Sequence, residues 1–490
     1  MASLSNQLHF VLFPFVAQGH LIPMVDIARL LAQHGALVTI ITTPANAARF
    51  EDGLARATEY NLKIRVIKLQ LPHEEAGLPQ DCENLDMLSS LGLSHRLCIG
   101  TSLLQQPAEE VFKKLTPKPC CLISDMCLPW TASIATKYQV PRVSFSGFSC
   151  FASVCMRKVN SSGILESVNS EWERFIVPGL PDRIELCKAQ LPGPILKNLE
   201  DFCNQVAQAE EGTYGVIMNS FEELEPAYAS ELNKIYSGKS WCVGPVSLCN
   251  KETMDKFQRG NKTSVDENEC SKWLATWETG SVLYVSFGSL CNLIFPQLVE
   301  LGMALEELNI PFIWVIRQRD NSKLLKNWIA ESGFEERIRG RGMIIWGWAP
   351  QVLILSHPAI GGFLTHCGWN SMLEAITAGV PMVTWPLFAD QFCNEKLAVQ
   401  LLDIGASVGV QVPLRWGEEE EIGVLVHKES IVRAVKKIME EDEDNGKRRK
   451  RAKALAEIGK KASEEGGSSF VNMEMLIQDV VQYVNGGKGI

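Results

Sequence analysis

The stretch "GGFLTHCGWNSMLEA", residues 361–375, reads as a strand, a turn and a helix in immediate succession. Its apolar start ends at Leu364, and the polar cluster around His366 and Cys367 turns the chain. A helix reopens near Asn370. The first-turn N–H groups of such a helix have no intrahelical acceptor and point at whatever lies beyond the strand end, which makes the turn a natural anion site.

The same rhythm extends in both directions. Before and after it come "VLYVSFG" (282–288), "FIWVIR" (312–317), "MIIWGW" (343–348) and "PMVTW" (381–385), apolar runs of the kind buried on both faces of a parallel sheet. The N-terminal half repeats the theme with "LHFVLFP" (8–14), "LVTIITT" (37–43), "CCLISD" (120–125) and "RVSF" (142–145). After the first of these, Met24, Ile27, Ala28 and Leu31 recur at helical spacing, with Pro23 suited to a first turn and Gly35 to a C-terminal cap. Residues 246–272 are polar and without period, as expected of a linker.

The expected architecture is α/β, with two doubly wound parallel-sheet domains in series: 1–245, a linker at 246–272, and 273–467. A closing helix follows at 468–490, its apolar side traced by Val471, Met475, Ile477 or Gln478, and Val481. Ligands of such sheets bind beyond the strands' carboxyl ends, so a cleft between the domains is the expected site.

Composition narrows the function. A chain of 490 residues with 46% apolar and 21% charged residues can build large cores. Its formal net charge of −10 argues against nucleic acid as a partner, so an anionic ligand must be met locally by helix ends and a few donors. The basic cluster at 447–453 follows acidic residues 440–444 and reads as a solvated helix surface. Fifteen cysteines, an odd number without a C-x-x-C pair, suggest a reducing compartment. No secretory leader or bilayer-spanning run is expected, so the chain reads as cytoplasmic, with the sequons at Asn160 and Asn261 unglycosylated. His366 beside Cys367 lacks the second ligand pair of a metal site.

Residues 348–391, "WAPQVLILSHPAIGGFLTHCGWNSMLEAITAGVPMVTWPLFADQ", have the 44-residue length of one known signature. They closely resemble the signature of plant UDP-sugar-dependent glycosyltransferases of small molecules, family 1 glycosyltransferases. Met372 stands where Thr or Val is more usual, and Asp390 where Glu is also frequent. The likeness extends over essentially the whole chain, including "FVAQGHLIPM" and "ISDMCLPW". It implies the GT-B fold and an inverting transfer to a small aglycone without a metal or other cofactor.

The residues agree with that resemblance. Asn370 and Ser371 open the helix toward an α-phosphate, and His366 can donate to the β-phosphate. Glu374, one turn on, suits the ribose hydroxyls, and Trp348 offers a face to uracil, with backbone groups of Ala349 reading the base edge and Gln351 near the ribose. Trp369, Asp390 and Gln391 fall to the sugar hydroxyls. The resemblance associates Gln at this last position with glucosyl donors. Gly288 and Ser289 form a second turn toward the phosphates, and Gly19 stands in the glycine turn of the N-terminal domain.

His20 lies in the turn after the first strand, just before a helix whose N-terminus disfavours an imidazolium. Asp125 ends another parallel strand, so the two can meet on one sheet edge, where the carboxylate would fix the tautomer and stabilise the cation. The resemblance assigns His20 as base and Asp125 as its partner. The expected partners are UDP-glucose and a hydrophobic aglycone of triterpenoid, steroid, flavonoid or cytokinin type, with the protein a monomer. The acceptor-facing stretches 72–92 and 148–205 carry no legible code.

Alternatives remain. A nucleotide-dependent oxidoreductase would share the sheets, but no G-x-G-x-x-G follows the first strand. A non-catalytic UDP-sugar-binding relative would keep the signature and lose the base. "GASVG" (405–409) lacks the strand–turn–helix context of a nucleophile elbow, with Gly405 expected as a helix cap. The acidic 442–444 sits in a charged helix away from any strand end.

Overall fold

The computed structural model describes residues 8–192, 199–317 and 320–486. Part of the stretch 148–205 (residues 193–198) and the outermost residues of the expected terminal segments (1–7 and 487–490) lie outside the described residues. The strands are β1 (His9–Phe13), β2 (Leu37–Thr42), β3 (Ile64–Lys68), β4 (Cys121–Asp125) and β5 (Arg142–Ser146). They continue as β6 (Arg174–Ile176), β7 (Glu185–Cys187), β8 (Gly215–Met218) and β9 (Ser240–Cys242). The second half adds β10 (Val282–Ser286), β11 (Phe312–Ile316), β12 (Gly342–Trp346), β13 (Ile360–Thr365), β14 (Met382–Thr384) and β15 (Gly405–Ser407).

The chain divides into two compact units, one of Met1–Cys150, Leu196–Asn261 and Gly459–Ile490, the other of Phe151–Ile195 and Lys262–Ile458. The first holds a seven-stranded parallel sheet ordered β3-β2-β1-β4-β5-β8-β9. Strand order reverses between β1 and β4, whose register pairs Phe10 with Cys121 and Phe13 with Ser124. The second holds a six-stranded parallel sheet ordered β12-β11-β10-β13-β14-β15, reversing between β10 and β13. A switch point is where two neighbouring loops leave in opposite directions and open a crevice at the strands' carboxyl ends. Each candidate cluster is built at one of them.

The core of the first unit packs Phe10, Leu12 and Ile123 of the sheet against Ile27, Ala28 and Leu31. Those three lie on the helix Gln18–Gln33, which begins earlier than expected, so Pro23 is inside it rather than in its first turn. Gly35 follows its end at φ 86°, the left-handed conformation expected there.

The boundaries also differ from the sequence expectation. Residues 246–261 belong to the first unit through buried polar contacts: Asn250 joins Asp26 and Arg29, Arg259 pairs with Asp26 at 2.9 Å, and Arg56 pairs with Asp255 at 2.8 Å. A search for apolar periodicity cannot see an anchor made of ion pairs. The β6–β7 hairpin goes with the second unit, where Gln190 donates to the Gln411 carbonyl at 2.9 Å and Arg415 pairs with Glu171.

The helix Ser468–Gly486 packs on the first unit, but with a different face from that expected. Met473, Leu476 and Val480 enter the core, whereas Val471 and Met475 are exposed. Asn472 on the inner face donates to Glu222 at 2.8 Å, so a polar residue helps define the packed side. Gly405 is the first residue of β15, not a cap; the preceding helical segment closes with Asp403 at φ 49°. Among the described residues no helix is long and apolar enough to cross a membrane.

Candidate active site

In the first unit, β1 ends at Phe13, and the chain enters the helix Gln18–Gln33 with Gly19 and His20 in its first turn. His20 is thus helical, where the sequence reading had it just before the helix. This follows from Ala17, which is extended and accepts the N–H groups of His20 and Leu21 at 3.0 and 2.8 Å. Asp125 closes β4 on the neighbouring strand and is fully buried.

The switch point brings the two together: His20 Nδ1 and Asp125 Oδ2 are 2.7 Å apart. The second carboxylate oxygen accepts the Cys127 backbone N–H at 2.9 Å, so both acceptors of Asp125 are oriented. Phe15 meets the His20 ring edge-on at 5.5 Å, and Gly147 lies beside it, where a Cβ would come within 3.3 Å of Cε1. The His20 side chain remains 23% exposed.

An ionised carboxylate accepts only, so Nδ1 must carry the proton and Nε2 the basic lone pair. Among the described residues one set could gather around a cation, His20, Asp125 and Cys127, whose ligand atoms lie within 4.8 Å of one another.

In the second unit, β13 ends at Thr365, and the turn His366–Cys367–Gly368 leads into the helix Trp369–Ala378. Cys367 takes φ 65°. The His366 ring is wedged between two glycines. A Cβ on Gly288, in the turn after β10, would fall 2.5 Å from Cε1, and one on Gly368 would fall 2.3 Å from Nε2. Burial lowers the His366 pKa to about 4, so the ring is neutral near pH 7. Its Nδ1 is buried without a hydrogen-bond partner among the described residues.

Asn370 and Ser371 follow Trp369 in the first helical turn, and Ser289 sits in the facing turn beside Gly288. Glu374, one turn into the helix, is nearly buried and accepts from Gln351 Nε2 at 2.8 Å. The same amide nitrogen donates to Ser371 Oγ at 3.0 Å, so three expected donor-site residues already form one network.

Asp390 and Gln391 follow β14. Gln391 Oε1 accepts the backbone N–H groups of Leu387 and Phe388 at 2.8 and 3.0 Å, which fixes the amide. Trp348 is half-buried, and its Nε1 is another buried atom without a partner. Trp369 is buried, its ring part of the core.

Sequence reasoning missed two supports. Asn394 is fully buried and donates both to Asp390 Oδ2 at 2.6 Å and to the Cys367 carbonyl at 3.0 Å. It ties the residue after β14 to the turn after β13. Its place one helical turn past Asp390 was the available signal. Ser264 exchanges two bonds with the Trp348 backbone, each 3.0 Å, and Gly347 has no room for a Cβ against its hydroxyl. Nothing local marked that contact across 84 residues.

Residues 263–417 match the family model described as UDP-glucoronosyl and UDP-glucosyl transferase. The chain is 53% identical to UDP-glycosyltransferase 73C12 of Barbarea vulgaris, covering 98% of this chain and 97% of that one. It is also 53% identical to UDP-glycosyltransferase 73C6 of Arabidopsis thaliana, covering 97% of each.

Among solved structures it is similar to Glycyrrhiza uralensis UGT73P12 complexed with glycyrrhetinic acid 3-O-monoglucuronide. The TM-score is 0.89 at 37% identity, over 98% of this chain and 97% of that one. Arabidopsis thaliana UGT89C1 complexed with UDP-L-rhamnose gives a TM-score of 0.74 at 27% identity, over 97% and 99%. With full-length relatives at this identity and two parallel-sheet units of the GT-B class, the chain belongs to the plant family 1 UDP-glycosyltransferases.

Proposed function

We propose that this enzyme transfers glucose from UDP-glucose, with inversion, to a hydroxyl of a small lipophilic plant metabolite of triterpenoid, steroid, flavonoid or cytokinin type. The observation that carries the reading is the 2.7 Å contact between His20 and a fully buried Asp125, because it fixes the tautomer that leaves Nε2 to accept a proton. His20 Nε2 takes the acceptor's hydroxyl proton while that oxygen bonds to the anomeric carbon, and the bond from carbon to the diphosphate oxygen breaks on the opposite face. Asp125 stabilises the imidazolium formed.

The second unit holds the donor. Negative charge growing on the leaving UDP is met by a neutral His366, by Asn370 and Ser371, and by the positive helix end, with Ser289 beside the phosphates. The orphaned Nδ1 of His366 supports this, since a buried polar atom without a protein partner is a position for a ligand. Trp348 stacks on uracil, Ala349 reads its edge, and Gln351 and Glu374 take the ribose. Trp369, Asp390 and Gln391 address the sugar. The Gln391 amide oxygen is committed to two backbone N–H groups, so toward a sugar hydroxyl it acts as a donor.

Catalysis needs no metal in this scheme, and activity survives EDTA. A cytoplasmic monomer is the working form. The polycyclic ligand of the 37%-identical relative supports a bulky apolar acceptor.

The test is His20→Ala assayed with UDP-glucose and a panel of aglycones. kcat falls about 10²- to 10⁴-fold while UDP affinity by calorimetry holds. Near-normal kcat on an aliphatic alcohol refutes the mechanism.

A further inference from the structure

We infer that His20, Asp125 and Cys127 form a site for one zinc ion whose occupancy switches the enzyme off. The three residues come from two elements joined at the first switch point. Asp125 ends β4, and Cys127 lies two residues on, in the turn that the Asp125 carboxylate holds through the Cys127 N–H at 2.9 Å. That bond keeps the cysteine beside the carboxylate and the imidazole, and the three ligand atoms lie within 4.8 Å of one another. A tetrahedral zinc ion with bonds of about 2.0–2.3 Å needs ligand atoms roughly 3.3–3.8 Å apart. Cys127, half-buried, rotates inward, while His20 Nδ1 and Asp125 Oδ2, 2.7 Å apart across the ring proton, spread as zinc takes the place of that proton; the exposed part of His20 leaves a route for the ion and a position for a water as fourth ligand.

The donor set selects the metal. Imidazole nitrogen, thiolate and carboxylate together suit zinc and exclude magnesium, which demands oxygen ligands. On binding, the Cys127 S–H bond breaks, its proton goes to solvent, and an S–Zn bond forms. Carboxylate and thiolate together neutralise the charge of the ion.

The functional consequence, which rests on His20 as the base, follows from binding through Nδ1, the ring nitrogen that faces Asp125 at 2.7 Å. The ring proton moves to Nε2, which then donates instead of accepting. Proton abstraction stops, while the donor residues of the other unit are untouched. Zinc therefore lowers kcat and leaves UDP affinity unchanged.

The test compares the full-length enzyme with Cys127→Ser and Cys127→Ala. Both variants keep the backbone donor to Asp125, and Cys127→Ser also keeps a side-chain hydroxyl beside the carboxylate, so each variant's response to zinc is read against its own zinc-free turnover. The wild type binds one zinc ion by calorimetry, releases one proton from the thiol, and is inhibited reversibly, with recovery in EDTA. Both variants require at least about ten times more zinc for half-inhibition and lose the high-affinity calorimetric site. Magnesium at the same concentration has no effect.

Equal zinc affinity in the wild type and both variants overturns the inference, as does equal inhibition by magnesium. The calorimetric comparison stands apart from catalysis. A failure of His20 as base would appear in His20→Ala turnover and leave the zinc stoichiometry to be judged separately.

Discussion

Replacing Asp125 by Asn tests the geometry more sharply than removing the histidine. In the native site Oδ1 accepts the Cys127 N–H at 2.9 Å and Oδ2 accepts the His20 Nδ1–H at 2.7 Å, and the residue is fully buried. An asparagine amide has one oxygen. Kept on the Cys127 N–H, it turns its NH₂ toward His20 Nδ1, which must then accept. The ring proton moves to Nε2, and the base is lost.

Two losses therefore add. The charge-assisted bond to the imidazolium is worth about 1.5–3 kcal/mol, or roughly 10- to 150-fold in rate. Enforcing the wrong tautomer takes the total toward 10³- to 10⁴-fold. Asp125→Ala removes the bond without selecting a tautomer, so its kcat falls less, by about 10- to 150-fold, although an unpaired Cys127 N–H lowers its thermal stability. Initial rates at saturating UDP-glucose and aglycone give kcat, and calorimetry with UDP checks that donor affinity is unchanged. An Asn variant within about threefold of wild type, or an Ala variant slower than Asn, would refute the reasoning.

Three further outcomes follow from the donor unit. Glu374→Ala removes the acceptor that holds Gln351 at 2.8 Å, so UDP affinity falls about tenfold or more, from a loss of about 1–3 kcal/mol; an unchanged calorimetric Kd removes Glu374 from the site. Gly368→Ala brings a Cβ within 2.3 Å of His366 Nε2, so the ring shifts and donor KM rises while a thiol acceptor gives no relief; wild-type KM would show the ring to be mobile.

His366, held near pKa 4 against an ordinary 6.5, binds its proton more readily unfolded than folded. Its share of stability is therefore full above pH 6.5 and is lost as pH falls toward 4. His366→Gln flattens that part of the unfolding midpoint against pH, and an unaltered slope excludes the ring as its source.

Much of this molecule was legible in one dimension. The buried parallel strands announce themselves as short continuous apolar runs, because a strand covered on both faces has no polar side to show. The 44 residues 348–391 carry strand, turn and helix in sequence, so the donor turn at His366 and the helix start beside it follow from local chemistry. The pairing of His20 with Asp125 could be anticipated because Asp125 ends one parallel strand and His20 follows the carboxyl end of another.

Tertiary structure decided the rest. Which strands are neighbours, and hence that β1 lies beside β4 and β10 beside β13, depends on packing among seven and six strands. The anchoring of 246–261 by Asp26, Arg29 and Arg56, and the support of Trp348 by Ser264, join residues with no common period. The packed side of the last helix includes Asn472, whose partner Glu222 lies 250 residues earlier, so its apolar pattern alone could not identify it. Periodicity reports burial along one element, whereas hydrogen bonds between distant polar side chains arise only once the backbone has brought them together, and here those bonds orient the site.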